Sequence, residues 1–264
     1  MKGFLKITEL RVATYNIRMD AVEDGDWAWT ARKEHVLDLM TYHDWDLFGI
    51  QEALPYQLMD LKTLSDYAFI GIAREDGINS GEDNGVFYKK ERFECIEEKT
   101  FWLSETPDVP SIHPTAGCHR LCVLGLFQDK KSGTHFAFGD THLDHVSEEA
   151  RELGAQLIID NGLSKFKEYP TILVGDFNAE STECAYQLLK NQLNDRRYVD
   201  GVFSYGPKGT FNEFRYDCPW RERIEIYFIF VSKEITVKKV GTLTDSVDHH
   251  FPSDHFPVEA TIII

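Results

Sequence analysis

The sequence predicts an α+β fold, an α/β architecture of mixed, mostly antiparallel sheets flanked by helices, in a single domain spanning residues 1–264. Three observations lead there. Strand-like segments outnumber helical ones, and many follow one another with no helix between them, unlike the strict βαβ alternation of a doubly wound sheet. Hydrophobic residues make up 42% of the chain and aromatics 13%, enough for a sizeable core. No repeat, low-complexity tract or Pro/Ser-rich linker interrupts it.

In chain order, strands are expected over 10–17, 47–51, 68–72, 85–88, 93–103, 121–128, 135–141, 171–174, 227–231, 237–241 and 255–263. Each is rich in β-branched or aromatic residues and is bounded by Gly, Pro, Asp or Asn. Four helices interleave. Thr30 can cap one that runs to residue 40, and 56–64 reads as a second. The third opens at Ser147, where Glu148 and Glu149 favour the positive helix end; Ala150, Leu153, Gly154, Leu157 and Ile158 then recur at helical spacing. The fourth spans 182–190.

Composition excludes several classes of function. No run reaches the roughly 18–20 apolar residues of a membrane span, and 226–231 is only strand-length. Residues 1–6 lack the unbroken apolar stretch of a signal peptide, so a cytoplasmic protein is expected. The formal charge of −16, from 44 acidic against 28 basic residues, argues against holding long nucleic acid by a general positive field. It permits a phosphodiesterase, because a bound cation supplies positive charge where the chemistry occurs. Cys95, Cys118, Cys122, Cys184 and Cys218 form no regular framework. Cys118-x-x-x-Cys122 near His113 and His119 lacks a second finger-like pair, which leaves reduced thiols.

Chemistry-bearing residues gather at predicted strand ends. Asn16 closes the first strand, Glu52 the second, and His142 follows 135–141. Asp176 and Asn178 follow 171–174 within Gly175-Asp176-Phe177-Asn178, and Asp254-His255 opens the last strand. Singly, each has a bland reading: a turn former, a solvated carboxylate or a packed histidine. Together they suit one rim that collects oxygen ligands for Mg²⁺ beside a histidine able to move a proton. Arg18 and Arg120 offer guanidinium forks for phosphate oxygens, or else structural ion pairs. Trp27, Trp29 and Trp102 are candidates to stack a base or sugar, against the simpler reading of packing. A zinc site of His249, His250 and His255 lacks a helical His-x-x-x-His pair and leaves the oxygen ligands unexplained.

The ordered set Thr14-Tyr15-Asn16-Ile17-Arg18, Gln51-Glu52, Thr141-His142-Leu143-Asp144-His145, Gly175-Asp176-Phe177-Asn178 and Ser253-Asp254-His255 resembles the endonuclease/exonuclease/phosphatase superfamily. Phe101-Trp102-Leu103-Ser104-Glu105-Thr106-Pro107, His119-Arg120, Gly209-Thr210-Phe211 and Thr242-Leu243-Thr244-Asp245 look like its bacterial branch. The resemblance implies a four-layer, DNase I-like α/β sandwich and a hydrolase of phosphate esters dependent on Mg²⁺ (or Mn²⁺), with an activated water attacking in line. Glu52 would be the principal metal ligand with Asn16 beside it, and Asp254 would contact metal or its water. Asp176 and Asn178 would orient the attacking water and hold the phosphate or a second metal. His255 would activate that water or stabilise developing charge; His142 would serve a phosphoryl oxygen or the leaving group. The substrate would be a phosphate ester (a small molecule, a head group or nucleic acid), and the protein a monomer.

Two departures from the family pattern stand out. Where an Asp is usual as partner of the catalytic histidine, this chain offers Glu225 in one register and Tyr227 in the other. Asp140 stands where Asn is common, and adds negative charge near the site. The first departure motivates an alternative: a binding or regulatory module that keeps the fold but has weak or lost catalysis.

Overall fold

The computed structural model describes residues 7–199 and 201–264; the segment 1–6, read above for a signal peptide, lies outside the described residues. The chain runs β1 (Glu9–Asn16), α1 (Trp29–His43), β2 (Leu47–Ala53), α2 (Pro55–Leu61), β3 (Tyr67–Ala73), β4 (Asp83–Lys89), β5 (Phe93–Trp102), β6 (Leu121–Asp129) and β7 (His135–His142). It continues through α3 (Glu148–Leu157), β8 (Thr171–Asp176), α4 (Cys184–Gln192), β9 (Asn194–Asp195), β10 (Phe203–Tyr205), β11 (Tyr227–Val231), β12 (Thr236–Thr242) and β13 (Val258–Ile263). One sheet has the order β10-β12-β13-β1-β2-β4-β3, the other β5-β6-β7-β8-β11-β9.

Alternation along the strands explains why the sheets stack. Leu10, Val12, Val86 and Leu47 of the first sheet meet Val123, Phe138, Ile172, Val174 and Ile229 of the second in a central core. The intervening residues face outward: Ala13, Tyr15, Phe48 and Phe87 pack under Trp29, Val36 and Met40 of α1. On the opposite side Leu124, Ala137, Leu173, Phe228 and Phe230 pack under Ala155 of α3 and Tyr186 and Leu189 of α4. The result is the expected four-layer sandwich. Helix α3 begins as foreseen, with the Ser147 hydroxyl accepting from Ala150 N and two glutamates in its first turn.

Strand register assembles one rim. Parallel pairing of β1 with β2 sets Asn16 opposite Gln51, which brings Glu52 beside Asn16. Parallel pairing of β7 with β8 sets His142 opposite Asp176. Antiparallel partners bring their starting ends to the same edge: Thr14 pairs with Val258 of β13, and Asp176 with Tyr227 of β11. Gly175 permits the close approach of β8 to β7, since a Cβ there would lie 2.1 Å from Thr141 O.

The structure corrects four expectations. Thr30 lies inside α1, whose N-cap is Ala28, because the helix starts one residue earlier at Trp29. The last strand starts at Val258 instead of 255; His255 makes only an isolated bridge to Phe211, with Phe256 N donating to Thr210 O. A 3₁₀ turn over Val22–Trp27 and a π-helical turn over Ile158–Leu163 were not foreseen. Asp140 adds no charge to the rim. It is fully buried between the sheets, where it accepts from Gln51 Nε2 (2.5 Å) and Asn84 Nδ2 (3.5 Å). Burial pushes its pKa well above the usual carboxylate range, which favours the neutral acid. Gly49 makes room for it, as a Cβ there would stand 2.2 Å from Asp140 Oδ1. Among the described residues no helix is long and apolar enough to cross a membrane.

Candidate active site

At this rim a cleft of about 480 Å³ opens, lined among others by Arg18, Glu52, Asp176, Asn178, Asp254, His142, His255 and Arg120. Three of these have backbones in the left-handed region: Arg18 (φ 60°), Glu52 (φ 65°) and Asn178 (φ 45°). Each such non-glycine conformation costs about 1–3 kcal/mol and persists only where surrounding bonds hold it. For Glu52 the register shift between Ile50 and Ala53 in the β2–β4 pair turns the side chain into the cleft. For Arg18 the buried Arg32 guanidinium donates to the carbonyls of Ile17, Arg18 and Pro252, and Gln57 Nε2 donates to Arg18 O. Neither Arg32 nor Gln57 carried a signal in the sequence, because each acts on backbone groups of distant segments.

The acidic groups form one corner. Glu52 Oε1 accepts from Asn16 Nδ2 (2.6 Å) and Oε2 from Met19 N (3.1 Å). Asn16 Nδ2 also reaches Asp176 Oδ2 (3.2 Å), while its Oδ1 accepts from Arg18 N (2.9 Å). Asn16 Nδ2 thus bridges two carboxylates, while its Oδ1, expected as a metal ligand, accepts one backbone N–H and keeps a second lone pair. Burial would raise the Glu52 pKa, but the charge of His255, the Asn16 and Met19 hydrogen bonds and Arg18 outweigh it and hold the pKa below normal. Asp254 is pushed up to about 7 by burial and by the Glu52 charge. Its nearest cation is Arg18, Nε at 3.8 Å, and that guanidinium already forms a two-point pair with Asp24 (3.0 and 2.9 Å). Arg18 thus satisfies the ion-pair reading and still lines the cleft.

Asp176 lies between two imidazoles. Its Oδ2 is 3.7 Å from His142 Nε2 and 3.8 Å from His255 Nδ1; its Oδ1 accepts from Asn178 N (3.0 Å). Burial, then the Glu52 charge, raises the Asp176 pKa. Burial drives His142 well below the ordinary imidazole value, assisted by the fields of Arg120 and Arg74, and lowers His255 as well. Asn178 is fixed by donating to Leu143 O (3.0 Å).

Neither suggested orienter of His255 works as expected. Glu225 turns to Arg197 Nε (2.9 Å) and Arg196 (3.5 Å), because those buried guanidiniums are the stronger partners for its carboxylate. Tyr227 meets the imidazole face to face, with centroids 4.9 Å apart and planes at 12°, so it offers no in-plane hydrogen bond. Phe211 makes a tilted contact at 4.8 Å, and the ring is held by aromatics. The loop itself is tied down by Ser253 Oγ donating to Asn16 O (2.7 Å) and Asn212 Nδ2 donating to Ser253 O (3.1 Å).

Other sequence candidates fall away. Trp29 and Trp102 are buried, donating to Asp60 and to Arg74 O, while Trp27 packs on Phe214 and His250; no common stacking face forms. His249 packs on Tyr216, so the proposed histidine trio is dispersed. The five cysteines are unpaired. Cys118, Asp144 and His145 bring ligand atoms within 4.8 Å of one another. The Asp144 oxygens, however, already accept from Gly117, Val146 and Ser147 N–H groups, and His145 Nδ1 from Arg120.

A family model described as the endonuclease/exonuclease/phosphatase family matches residues 13–255. The chain belongs to that family. A crystal structure of a functionally unknown conserved protein from Enterococcus faecalis is 43% identical, with a TM-score of 0.90 over 96% of this chain and 99% of that one. A mannosyl-6-phosphatase from Bacteroides thetaiotaomicron is 37% identical, with a TM-score of 0.90 over 97% of this chain and 100% of that one. A curated relative, an uncharacterised protein of Acanthamoeba polyphaga mimivirus, is 26% identical over 181 residues; the match spans 64% of this chain and 66% of the relative. The fold is DNase I-like.

Enzymes of this family generally use divalent metals. The donors here suit such an ion: Glu52, Asp176 and Asp254 are hard oxygen groups in one buried corner, as Mg²⁺ and Mn²⁺ prefer. The raised Asp254 pKa marks an excess of negative charge that a cation would offset.

Proposed function

We propose that this family member is an Mg²⁺- or Mn²⁺-dependent hydrolase of phosphate esters acting by in-line attack of water. The observation that carries the reading is the Asp176 carboxylate between His142 and His255, joined to Glu52 through Asn16 Nδ2 in the cleft that Asp254 also lines. Glu52 and Asp254 would hold the ion, which when bound polarises the phosphoryl oxygens. Asp176, with its raised pKa, accepts the proton of a water set in line with phosphorus. Asn178 positions that water. His255 steadies charge on a non-bridging oxygen, and His142, buried and near Arg120, serves the oxygen of the leaving group.

The alternative, a binding or regulatory module with weak or lost catalysis, keeps its motive: Glu225 and Tyr227 do not hydrogen-bond His255, and Asp176 stands 3.8 Å from its Nδ1, beyond hydrogen-bond reach. Turnover of any phosphate ester would exclude it. The likeness to a mannosyl-6-phosphatase supports a small phosphorylated sugar among the substrates to test. Purified protein with Mg²⁺ or Mn²⁺ is expected to cleave at least one of p-nitrophenyl phosphate, bis-p-nitrophenyl phosphate, sugar phosphates or nucleic acid. Inertness toward all of them overturns the reading.

A further inference from the structure

The same cleft is also lined by two buried arginines, of which the sequence reading gave a role only to Arg120. Arg74, at the end of β3, and Arg120, just before β6, both line it and are 9% and 6% exposed. Arg74 is anchored through its backbone, where its carbonyl accepts from Trp102 Nε1 (2.6 Å), and through Nη1, which donates to Glu82 Oε2 (2.5 Å). Its Nε has no acceptor among the described residues. Arg120 gives Nη2 to His145 Nδ1 (3.0 Å), while its Nε and Nη1 also lack acceptors; the nearest carboxylate oxygen, Asp144 Oδ2, is 3.9 Å away. Buried guanidinium donors left without partners are costly, so three in one cleft wall point to an anion that completes them. Both guanidiniums line the same cleft as His142, His255 and Asp176, so an anion they meet would share that cleft with the reacting groups.

The form of that anion follows from counting oxygens. A phosphodiester presents two non-bridging oxygens and one negative charge, and its second organic group must leave the site somewhere. A phosphomonoester presents a third terminal oxygen and close to two charges. The acidic groups with a cation would account for part of the phosphate's oxygens, and two buried guanidiniums lining the same cleft supply donors for a further terminal oxygen, which a diester lacks.

We propose that Arg74, acting with Arg120, is a specificity-determining residue that binds the third terminal oxygen of a phosphomonoester, making the protein a phosphomonoesterase. The inference rests on the hydrolase reading above. Glu82, which lines the same cleft, orients Arg74 through its Nη1.

The test compares wild type, Arg74→Gln and Arg74→Lys on p-nitrophenyl phosphate and bis-p-nitrophenyl phosphate with Mg²⁺ or Mn²⁺. It adds the thermal shift each protein shows with inorganic phosphate. Wild type is expected to prefer the monoester. Loss of one charge-assisted contact lowers monoester kcat/KM by about 10- to 100-fold in Arg74→Gln, with diester turnover changing less than about threefold. Arg74→Lys restores part of the monoester rate, and the phosphate-induced stabilisation shrinks in Arg74→Gln. A wild-type preference for the diester, or equal losses on both esters, overturns the proposal while leaving the hydrolase reading intact. If wild type cleaves neither ester, nor sugar phosphates nor nucleic acid, the hydrolase reading falls; independently, a phosphate shift unchanged by Arg74→Gln overturns the clamp. Should Arg74→Gln fail to fold, Arg74→Lys and Arg120→Gln carry the same comparison.

Discussion

The two walls of the cleft are built in opposite ways. The acidic wall, Glu52, Asp176 and Asp254, sits on strand ends whose positions follow from backbone pairing, and its charges crowd one another. The basic wall, Arg74, Arg120 and His145, is held by Trp102 and Glu82 and, among the described residues, keeps three guanidinium N–H donors without an acceptor. One wall has too much negative charge and the other too many donors. Each is stable only at a cost, and a cation on one side and a phosphate on the other would relieve both. Such uncompensated groups are expected where function has priority over stability.

The largest expected effect falls on the acidic wall. Glu52→Gln keeps the size and one hydrogen-bonding oxygen but removes the charge, so turnover should drop by about a thousandfold or more while the far-ultraviolet spectrum is unchanged. Near-full activity in that variant would break the distinction between the walls.

Next comes stability. Burial and the Glu52 charge raise Asp254 to about 7 in the folded protein, so folding takes up a proton between the ordinary carboxylate pKa and 7. The metal-free protein should accordingly lose stability as pH rises from about 4 to 7 and stay low above that. Asp254→Asn should be more stable than wild type at pH 8, by on the order of 2 kcal/mol in denaturant unfolding, with the difference vanishing toward pH 4. A constant difference across that range would assign the effect to packing.

The smallest effect concerns the ring beneath His255. Since Tyr227 makes contact by its face, Tyr227→Phe should retain activity within about threefold, whereas Tyr227→Leu should lose about tenfold or more as the imidazole loosens. Equal losses in both variants would assign the role to the hydroxyl instead.

Much of the acidic wall was legible because Asn16, Glu52, His142 and Asp176 all terminate apolar strands, and strand ends are easy to locate. Asn16 was legible as a site residue but not as a donor, since which amide atom faces the carboxylates depends on Arg18 N, set by a left-handed backbone. The basic wall was half legible. Arg120 stood in a motif, while Arg74 belongs to no pattern and becomes significant only because Trp102 and Glu82 fix it in the cleft. Glu225 misled because alternation along an extended segment puts it on the face of Tyr227, yet Arg196 and Arg197 draw it elsewhere.

By itself the sequence determined the elements and the chemistry available. Period-two apolar strands demand two sheets with helices outside, and the polar residues at their ends are oxygen donors and imidazoles suited to a hard cation and phosphate. Only the tertiary structure decided which of them meet. Parallel register put Glu52 beside Asn16 and His142 beside Asp176, and burial between the sheets raised the pKa of Asp140. Aromatic packing, in place of a carboxylate, set the plane of His255. The physical reason is range: patterning acts between neighbours in the chain, whereas desolvation and charge pairing depend on groups brought together from a hundred or more residues apart, as Asn16 and Asp176 are.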